Sequence, residues 1–271
     1  MTTDFYKFHG AGNDFILADN RQGAFSHSGL MNQAGIAGLC DRHKGIGADG
    51  LMLLEPDPDT DFKMLYFNSD GLPGTMCGNG GRCMVAFARL LGIIKESTRF
   101  MASDGIHHAH ILKSANPEWT IALKMIDTSP PIKTGEGYQV DTGSPHLVIF
   151  TQDVEAIDVI ARGRHIRHSP AFAPKGINVN FVQVIDEDTL KIRTYERGVE
   201  HETMACGTGA VAAALAARGH GIINADNNYQ VKAAGGDLQV SYTPASHTDT
   251  LTRNITLTGP ARIVFSGKLN L

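Results

Sequence analysis

The chain has 271 residues, 42% of them hydrophobic and 19% charged, with 30 Gly and a formal net charge of −4. That length buries a core without disulfide support, and the slightly acidic balance argues against a nucleic-acid binder, which carries a basic stripe. The longest uncharged apolar stretch, 203–217, is too short and too rich in Gly, Thr and Cys to cross a bilayer, and the first seven residues lack the apolar core of an export signal.

In chain order, the apolar run 14–18 predicts a strand and 29–41 a helix. The segment Lys44-Gly45-Ile46 marks a turn, and 50–54 and 62–68 predict strands. A helix follows Cys77, with Val85, Ala86, Ala88, Arg89 and Leu90 among its good helix formers or apolar positions. Strands at 106–112 and 119–125 end the first half. The second half shows a strand at 147–151, then a helix at 154–163 with Asp153 as its expected cap. Strands follow at 179–185 and 190–196. An Ala-rich helix runs from Cys206 through Ala217 and stops near Gly219, before strands at 237–242 and 252–258.

This order is read twice. Lys44-Gly45-Ile46 returns as Lys175-Gly176-Ile177, and Met76-Cys77-Gly78-Asn79-Gly80 as Ala205-Cys206-Gly207-Thr208-Gly209, at the same spacing to within two residues. Gly12-Asn13-Asp14-Phe15 parallels Gly143-Ser144-Pro145-His146, and 63–68 parallels 191–196. A long-period repeat of this kind implies two similar α/β domains, each with a central helix, joined near 113–119. Two such halves can share one site.

The segment Gly45-Ile46-Gly47-Ala48-Asp49-Gly50 matches the dinucleotide pattern GxGxxG, but the pattern must follow a strand and open a helix. Here a helix precedes it and a strand follows, so it reads as a tight turn. The four cysteines form no CxxC pair and show no zinc spacing, so no metal site is expected. Cys40 and Cys83 have no counterpart in the other half and read as packing residues. Cys77 and Cys206 each stand at a glycine-rich helix start, where bare N–H groups favour an anion and stabilise a thiolate. Two thiols at matching places suit a racemase, which removes a proton from one face of a carbon and returns one to the other. The helix starts would hold the substrate carboxylate. Arg197, beside Glu196, would bind a second carboxylate as a bidentate fork. Asn13, Asn68 and Asn178 sit in loops or at strand ends near the repeated motifs, and His146 is placed to orient or deprotonate a thiol.

Together, Phe8-His9-Gly10-Ala11-Gly12-Asn13-Asp14-Phe15, the segment 41–50, Phe67-Asn68-Ser69-Asp70-Gly71, the segment 76–83, Tyr195-Glu196-Arg197-Gly198 and Ala205-Cys206-Gly207-Thr208-Gly209 resemble the diaminopimelate epimerases over nearly the whole chain. The resemblance implies an α/β (α+β) fold of two pseudo-symmetric domains, each a mixed, barrel-like sheet around a central helix. Residues 1–118 would form the first, with 263–271 returning to it, and 119–262 the second. It implies cofactor-independent conversion of LL- to meso-diaminopimelate, toward lysine and peptidoglycan precursors. Cys77 and Cys206 would be the acid/base pair. Asn13, Asn68, Gly78, Asn79, Asn178, Glu196, Arg197, Gly207 and Thr208 would contact substrate, with Ser144 and His146 in support. Gly50 stands where some members carry Gln, and Ser144 where many carry Asn. The implied setting is a cytoplasmic homodimer whose partner is a small molecule, with no nucleic acid or membrane. Two alternatives remain at this point. A proline or hydroxyproline racemase shares the two-thiol plan but needs no arginine for a distant carboxylate. A non-catalytic amino-acid-binding protein would have no need of both cysteines.

Overall fold

The computed structural model describes residues 2–270 except His247. The described residues form sixteen strands and four helices. In chain order the first are β1 (Thr2–Gly10), β2 (Asn13–Asp19), α1 (Gln33–Cys40), β3 (Gly50–Glu55), β4 (Phe62–Asn68), α2 (Gly78–Leu90), β5 (Ser97–Ala102), β6 (Gly105–Ala115) and β7 (Glu118–Lys124). Then come β8 (Ile132–Lys133), β9 (Tyr138–Asp141), β10 (Pro145–Thr151), α3 (Val159–Arg167), β11 (Asn178–Val184), β12 (Thr189–Glu196) and β13 (His201–Thr203). The last are α4 (Gly207–Gly219), β14 (Asn228–Ala233), β15 (Gly236–Thr243) and β16 (Arg253–Asn270). No helix among the described residues is long and apolar enough to cross a membrane.

The chain divides into two compact units, Met1–Leu123 with Gly259–Leu271, and Lys124–Thr258. In the first, neighbouring strands run β1-β2-β3-β4-β5-β6-β7-β16, and the later residues of β16 pair back onto β1 from Thr2↔Asn270 to His9↔Arg262. That last pairing closes the sheet and leaves no open edge. The pairs β2–β3 and β4–β5 are parallel, while β1–β2, β3–β4, β5–β6 and β6–β7 are antiparallel. The helix α2 lies against β1, β2, β3 and β6, and every residue from Gly78 to Ala88 is buried. A helix buried all round needs small residues where the sheet comes close, which its glycines and alanines supply. The other sheet face carries Phe5, Ile16, Ala18, Leu51 and Leu53 against Ile36 and Cys40 of α1. The side chain of Asn32 caps α1 by accepting from Gly35 N at 3.0 Å.

The second unit repeats the plan. Its strands run β8-β9-β10-β11-β12-β14-β15-β16, with β13 attached to β12. The pairs β10–β11 and β12–β14 are parallel. Here α4 lies against β9, β10, β11, β12, β14 and β15, and it is buried from Gly209 to Ala217. Its run of alanines combines high helix propensity with the small girth that lets strands wrap it. The other sheet face packs Leu147, Ile149, Val179, Phe181 and Tyr195 against Val159 and Ile166 of α3. The cap of α3 is Asp158, which accepts from Ala161 N at 2.9 Å. The expected cap, Asp153, instead accepts from Glu155 N in a turn that holds Val154 in the core. The helix therefore starts five residues later than its sequence pattern implies.

Behind β1 and β2 lies a charged cluster. The buried Lys7 Nζ donates to Gly47 O and stands 2.7 Å from Asp14 Oδ2, and Arg42 donates to both Asp14 oxygens. Burial alone would raise the Asp14 carboxyl, but the hydrogen bonds and charges of Arg42 and Lys7 win and hold it at about 2. Its folded pKa lies below the ordinary 3.8, so its contribution to stability is complete above that value and disappears as pH falls toward 2. Discounted for solvent screening, that contribution is roughly 1–2 kcal/mol. Asp14→Asn is expected to lower stability at pH 6 by about this amount and to flatten the loss between pH 4 and 2, as read by urea unfolding at each pH. Parallel curves for the two proteins would remove Asp14 from this role.

Candidate active site

Each unit presents a cysteine at the N-cap of its buried helix. Cys77 precedes α2 with φ −116° and ψ 125°, and Cys206 precedes α4 with φ −120° and ψ 111°. Neither side chain caps its helix, so the first-turn N–H groups keep their capacity for an anion. The third residue of each first turn is glycine for a reason of space. A Cβ on Gly80 would run into the Met52 thioether, and one on Gly209 would stand 2.5 Å from Asn180 Oδ1. In both units a side chain from the sheet presses directly on the helix start.

In the first unit the structure brings Asn13, Gly78 and Asn79 to the start of α2. Asn79 Nδ2 donates to Asn13 Oδ1 at 2.7 Å, and Asn13 Nδ2 donates to Asp49 Oδ2 at 3.0 Å. Asp49 is fixed in turn by Arg42 at 2.7 Å. Asn68 ends β4 opposite Gly50, and its backbone is tied to the turn that leads to Cys77, donating to Leu72 O and accepting from Gly71 N. The Tyr66 ring occupies the space beside both Gly50 and Gly74, so a side chain at position 50 would displace it. Cys83 is fully buried, and burial pushes its thiol well above the ordinary range. Burial likewise raises Cys40, to about 11.

In the second unit His146 and Asn178 lie on the paired strands β10 and β11, Ser144 just precedes β10, Arg197 just follows β12, and Cys206, Gly207 and Thr208 form the start of α4. Asn178 Nδ2 donates to Ser144 Oγ at 2.8 Å and to Pro145 O at 3.1 Å, while its Oδ1 accepts from Arg197 N at 2.8 Å. Glu196 Oε2 accepts from Thr203 Oγ1 at 3.0 Å. Cys206 Sγ lies 3.4 Å from Thr208 Oγ1, and Thr208 O accepts from Thr142 Oγ1 at 3.1 Å. The hairpin that carries Glu196 and Arg197 is braced by Glu200, which accepts from Gly198 N, Tyr195 Oη and Arg167 Nε.

His146 is completely buried, and its neighbours fix its tautomer. Asn180 Nδ2 donates to Leu147 O, which only accepts, so the same amide nitrogen donates to His146 Nδ1 at 3.1 Å. The ring proton therefore sits on Nε2, which has no hydrogen-bond partner among the described residues. Asn180, which sequence reasoning passed over, lies two residues beyond Asn178 on β11 and so shares its face. That period of two was the available signal.

A model of the family described as diaminopimelate epimerase matches residues 5–123 and 138–264. The chain belongs to the diaminopimelate epimerase family. A diaminopimelate epimerase of Flavobacterium psychrophilum is 48% identical over 261 residues, covering 96% of this chain and 97% of that one. Another, of Chlorobaculum tepidum, is 42% identical over 273 residues, covering 97% and 99%. Among solved structures, a Bacillus anthracis phenazine biosynthesis protein of the PhzF family aligns with TM-score 0.74 at 16% identity over 100% of both chains. A hydroxyproline epimerase from Agrobacterium vitis aligns with TM-score 0.65 at 14% identity, over 100% of this chain and 93% of that one. These two likenesses establish the fold, a mixed α/β architecture of the epimerase/PhzF type.

Within this family fold, burial pushes the His146 imidazole down to about 3, with the Arg197 charge adding to the fall. Between about 3 and 6.5 the unfolded chain takes a proton that the native ring refuses. His146 thus contributes stability that is complete above pH 6.5 and lost as pH falls toward 3. Unfolding measured from pH 7 to 4 is expected to show this loss, up to ~3 kcal/mol, and His146→Gln to show a shallower slope whatever its stability at pH 7. An unchanged slope would mean that the ring titrates as it does in water.

Proposed function

We propose that the chain converts LL-diaminopimelate to meso-diaminopimelate, with Cys77 and Cys206 as its two acid/base groups. One observation carries the reading: both thiols occupy the N-cap of a buried, glycine-started helix, in a chain of the diaminopimelate epimerase family. One cysteine as thiolate takes the α-proton while the other, as thiol, returns a proton to the opposite face. The S–H bond formed on one side replaces the one broken on the other, so the pair ends each turnover with its charge exchanged. Backbone N–H groups at Gly78, Asn79, Gly207 and Thr208 take the reacting carboxylate and stabilise the charge that builds on it as the proton leaves. Asn13, Asn68 and Asn178 supply polar contacts along the substrate, with Ser144 and the His146 Nε2–H behind them. The Glu196 carboxylate accepts from an ammonium group, and the Arg197 guanidinium binds the distant carboxylate. The chemistry asks for no cofactor. Cytoplasmic location and assembly as a homodimer belong to the same reading, the half-exposed Val264 and Phe265 of β16 offering apolar surface for a second copy.

In deuterated water, turnover should place deuterium on the α-carbon of diaminopimelate and leave proline unlabelled. Cys77→Ala and Cys206→Ala should each abolish epimerisation, by more than a thousandfold, in folded protein. A folded single variant with near-native turnover would end the two-base account, and labelling of proline alone would favour the racemase alternative.

Arg197→Lys keeps a positive charge but loses the planar fork that matches a carboxylate. The expected result is a 10- to 100-fold fall in kcat/KM for diaminopimelate, with little change in any trace exchange of a mono-carboxylate amino acid. Equal losses on both substrates would assign Arg197 to the fold or to the chemical step.

A further inference from the structure

The two helix starts differ in one buried charge. Five residues after Cys77 stands Arg82, and five after Cys206 stands Val211; both are fully buried. The Arg82 guanidinium donates to Asn79 Oδ1 at 2.7 Å, to Gly78 O at 3.3 Å and to Pro260 O at 3.4 Å. All three acceptors are neutral, and no carboxylate among the described residues pairs with it. A guanidinium keeps its proton at every physiological pH, and a buried charge with no counter-charge is costly.

The titratable groups on the elements around α2 narrow the choice of partner. Tyr6 from β1 meets Phe87 at the far end of the helix. From β2 and the turn before β3, Asp14 and Asp49 are taken by Lys7 and Arg42 on the far side of Asn13. Tyr66 from β4 sits against Phe15. His107 from β6 is paired with Asp104. On α2 itself Cys83 remains a thiol, because burial raises it strongly. Burial pushes Arg82 below its ordinary value, and with Cys83 held as a thiol the thiol left to supply an opposing charge is Cys77.

We propose that Arg82 is a positioning residue for the epimerisation, its guanidinium serving as the counter-charge that keeps Cys77 as the thiolate of the resting pair, with Cys206 as the thiol. This rests on the assignment of both cysteines as the acid/base groups. Arg82 also sets the direction of two amides. By donating to Asn79 Oδ1 it turns Asn79 Nδ2 toward Asn13, and Asn13 Nδ2 toward Asp49. Val211 gives Cys206 neither service. The pair is then unequal before substrate arrives, and Cys77 is the group ready to take a proton.

The test is iodoacetamide alkylation of the native enzyme across pH 5–10, with each cysteine quantified by peptide mapping. The midpoint of each pH profile is compared, since absolute rates also reflect exposure. The Cys77 midpoint should lie at least one pH unit below that of Cys206. In Arg82→Met it should rise by a unit or more, and the acid limb of the kcat/KM profile should move with it. Arg82→Lys, which keeps the charge, should restore most of the difference. Equal midpoints in the native enzyme, or a lower one for Cys206, would overturn the proposal even if Arg82→Met does not fold. So would an unmoved Cys77 midpoint in a folded Arg82→Met. Deuterium exchange that persists in any of these cases would leave the two-base reading standing without Arg82's part in it.

Discussion

A helix start buried inside a sheet is the constraint on which this protein is organised. The first N–H groups of a helix have no partners within it, and away from water they must be met by something else. At α2 and α4 the side chain at the cap is a cysteine that does not fold back to bond them. A serine or aspartate there would cap the helix and consume the donors. Cysteine, a poor acceptor, leaves them for a ligand while gaining from their field if it ionises. The glycines that follow come from the same constraint, because Met52 and Asn180 reach the first turn so closely that no side chain fits at Gly80 or Gly209.

Around this shared frame the units have diverged in how they satisfy buried polar groups. The first holds a run of contacts from Arg82 through Asn79 and Asn13 to Asp49 and Arg42, in which cations and carboxylates terminate a line of amides. The second uses neutral groups: Thr194 donates to Asn180, Asn180 to His146, and the imidazole ends the line with a buried N–H. An N–H left unpaired in a folded interior costs about 1–3 kcal/mol.

Much of this was legible in the sequence because the repeat supplied every signal twice. The helices at Cys77 and Cys206 and the strands β2, β3, β4, β11 and β12 follow from local patterns of apolar residues and glycine. The turn at Gly45-Ile46-Gly47 could be separated from a dinucleotide loop because order along the chain is itself local information, and α1 does precede it with β3 following. What was missed depends on distant partners. β1 carries Lys7 at a buried position, which spoils its alternation, and one of its edges is satisfied by the last residues of the chain. β8 and β9 are two and four residues long, below what periodicity can resolve. The cap of α3 is Asp158 rather than Asp153 because Gln183, distant in sequence on β11, accepts from Val154 N and holds that turn open. Among site residues, the cysteines announced themselves by their glycines. Asn180 had only its spacing of two from Asn178 on β11 to mark it, and nothing in the immediate sequence of Arg82 or Asp49 shows which side chains they touch.

Two thiols that share one reaction need not be alike, and the chemistry gives a reason for them to differ. A resting pair with both members protonated has no base, and one with neither protonated has no acid. Two coupled groups in identical surroundings would divide a single proton evenly, so only half of the pairs would hold the base on the side that a given stereoisomer needs. Matching helix starts alone would give that symmetric outcome, since each offers its cysteine the same N-cap geometry. Any fixed charge near only one of them biases the proton toward the other. In this fold that charge stands on the buried helix itself, at Arg82, one turn beyond a cap residue whose backbone carbonyl accepts from Gly81 N. A duplicated frame thus supplies a thiol at each buried helix start, and a single departure from the duplication, Arg82 against Val211, makes their surroundings unequal.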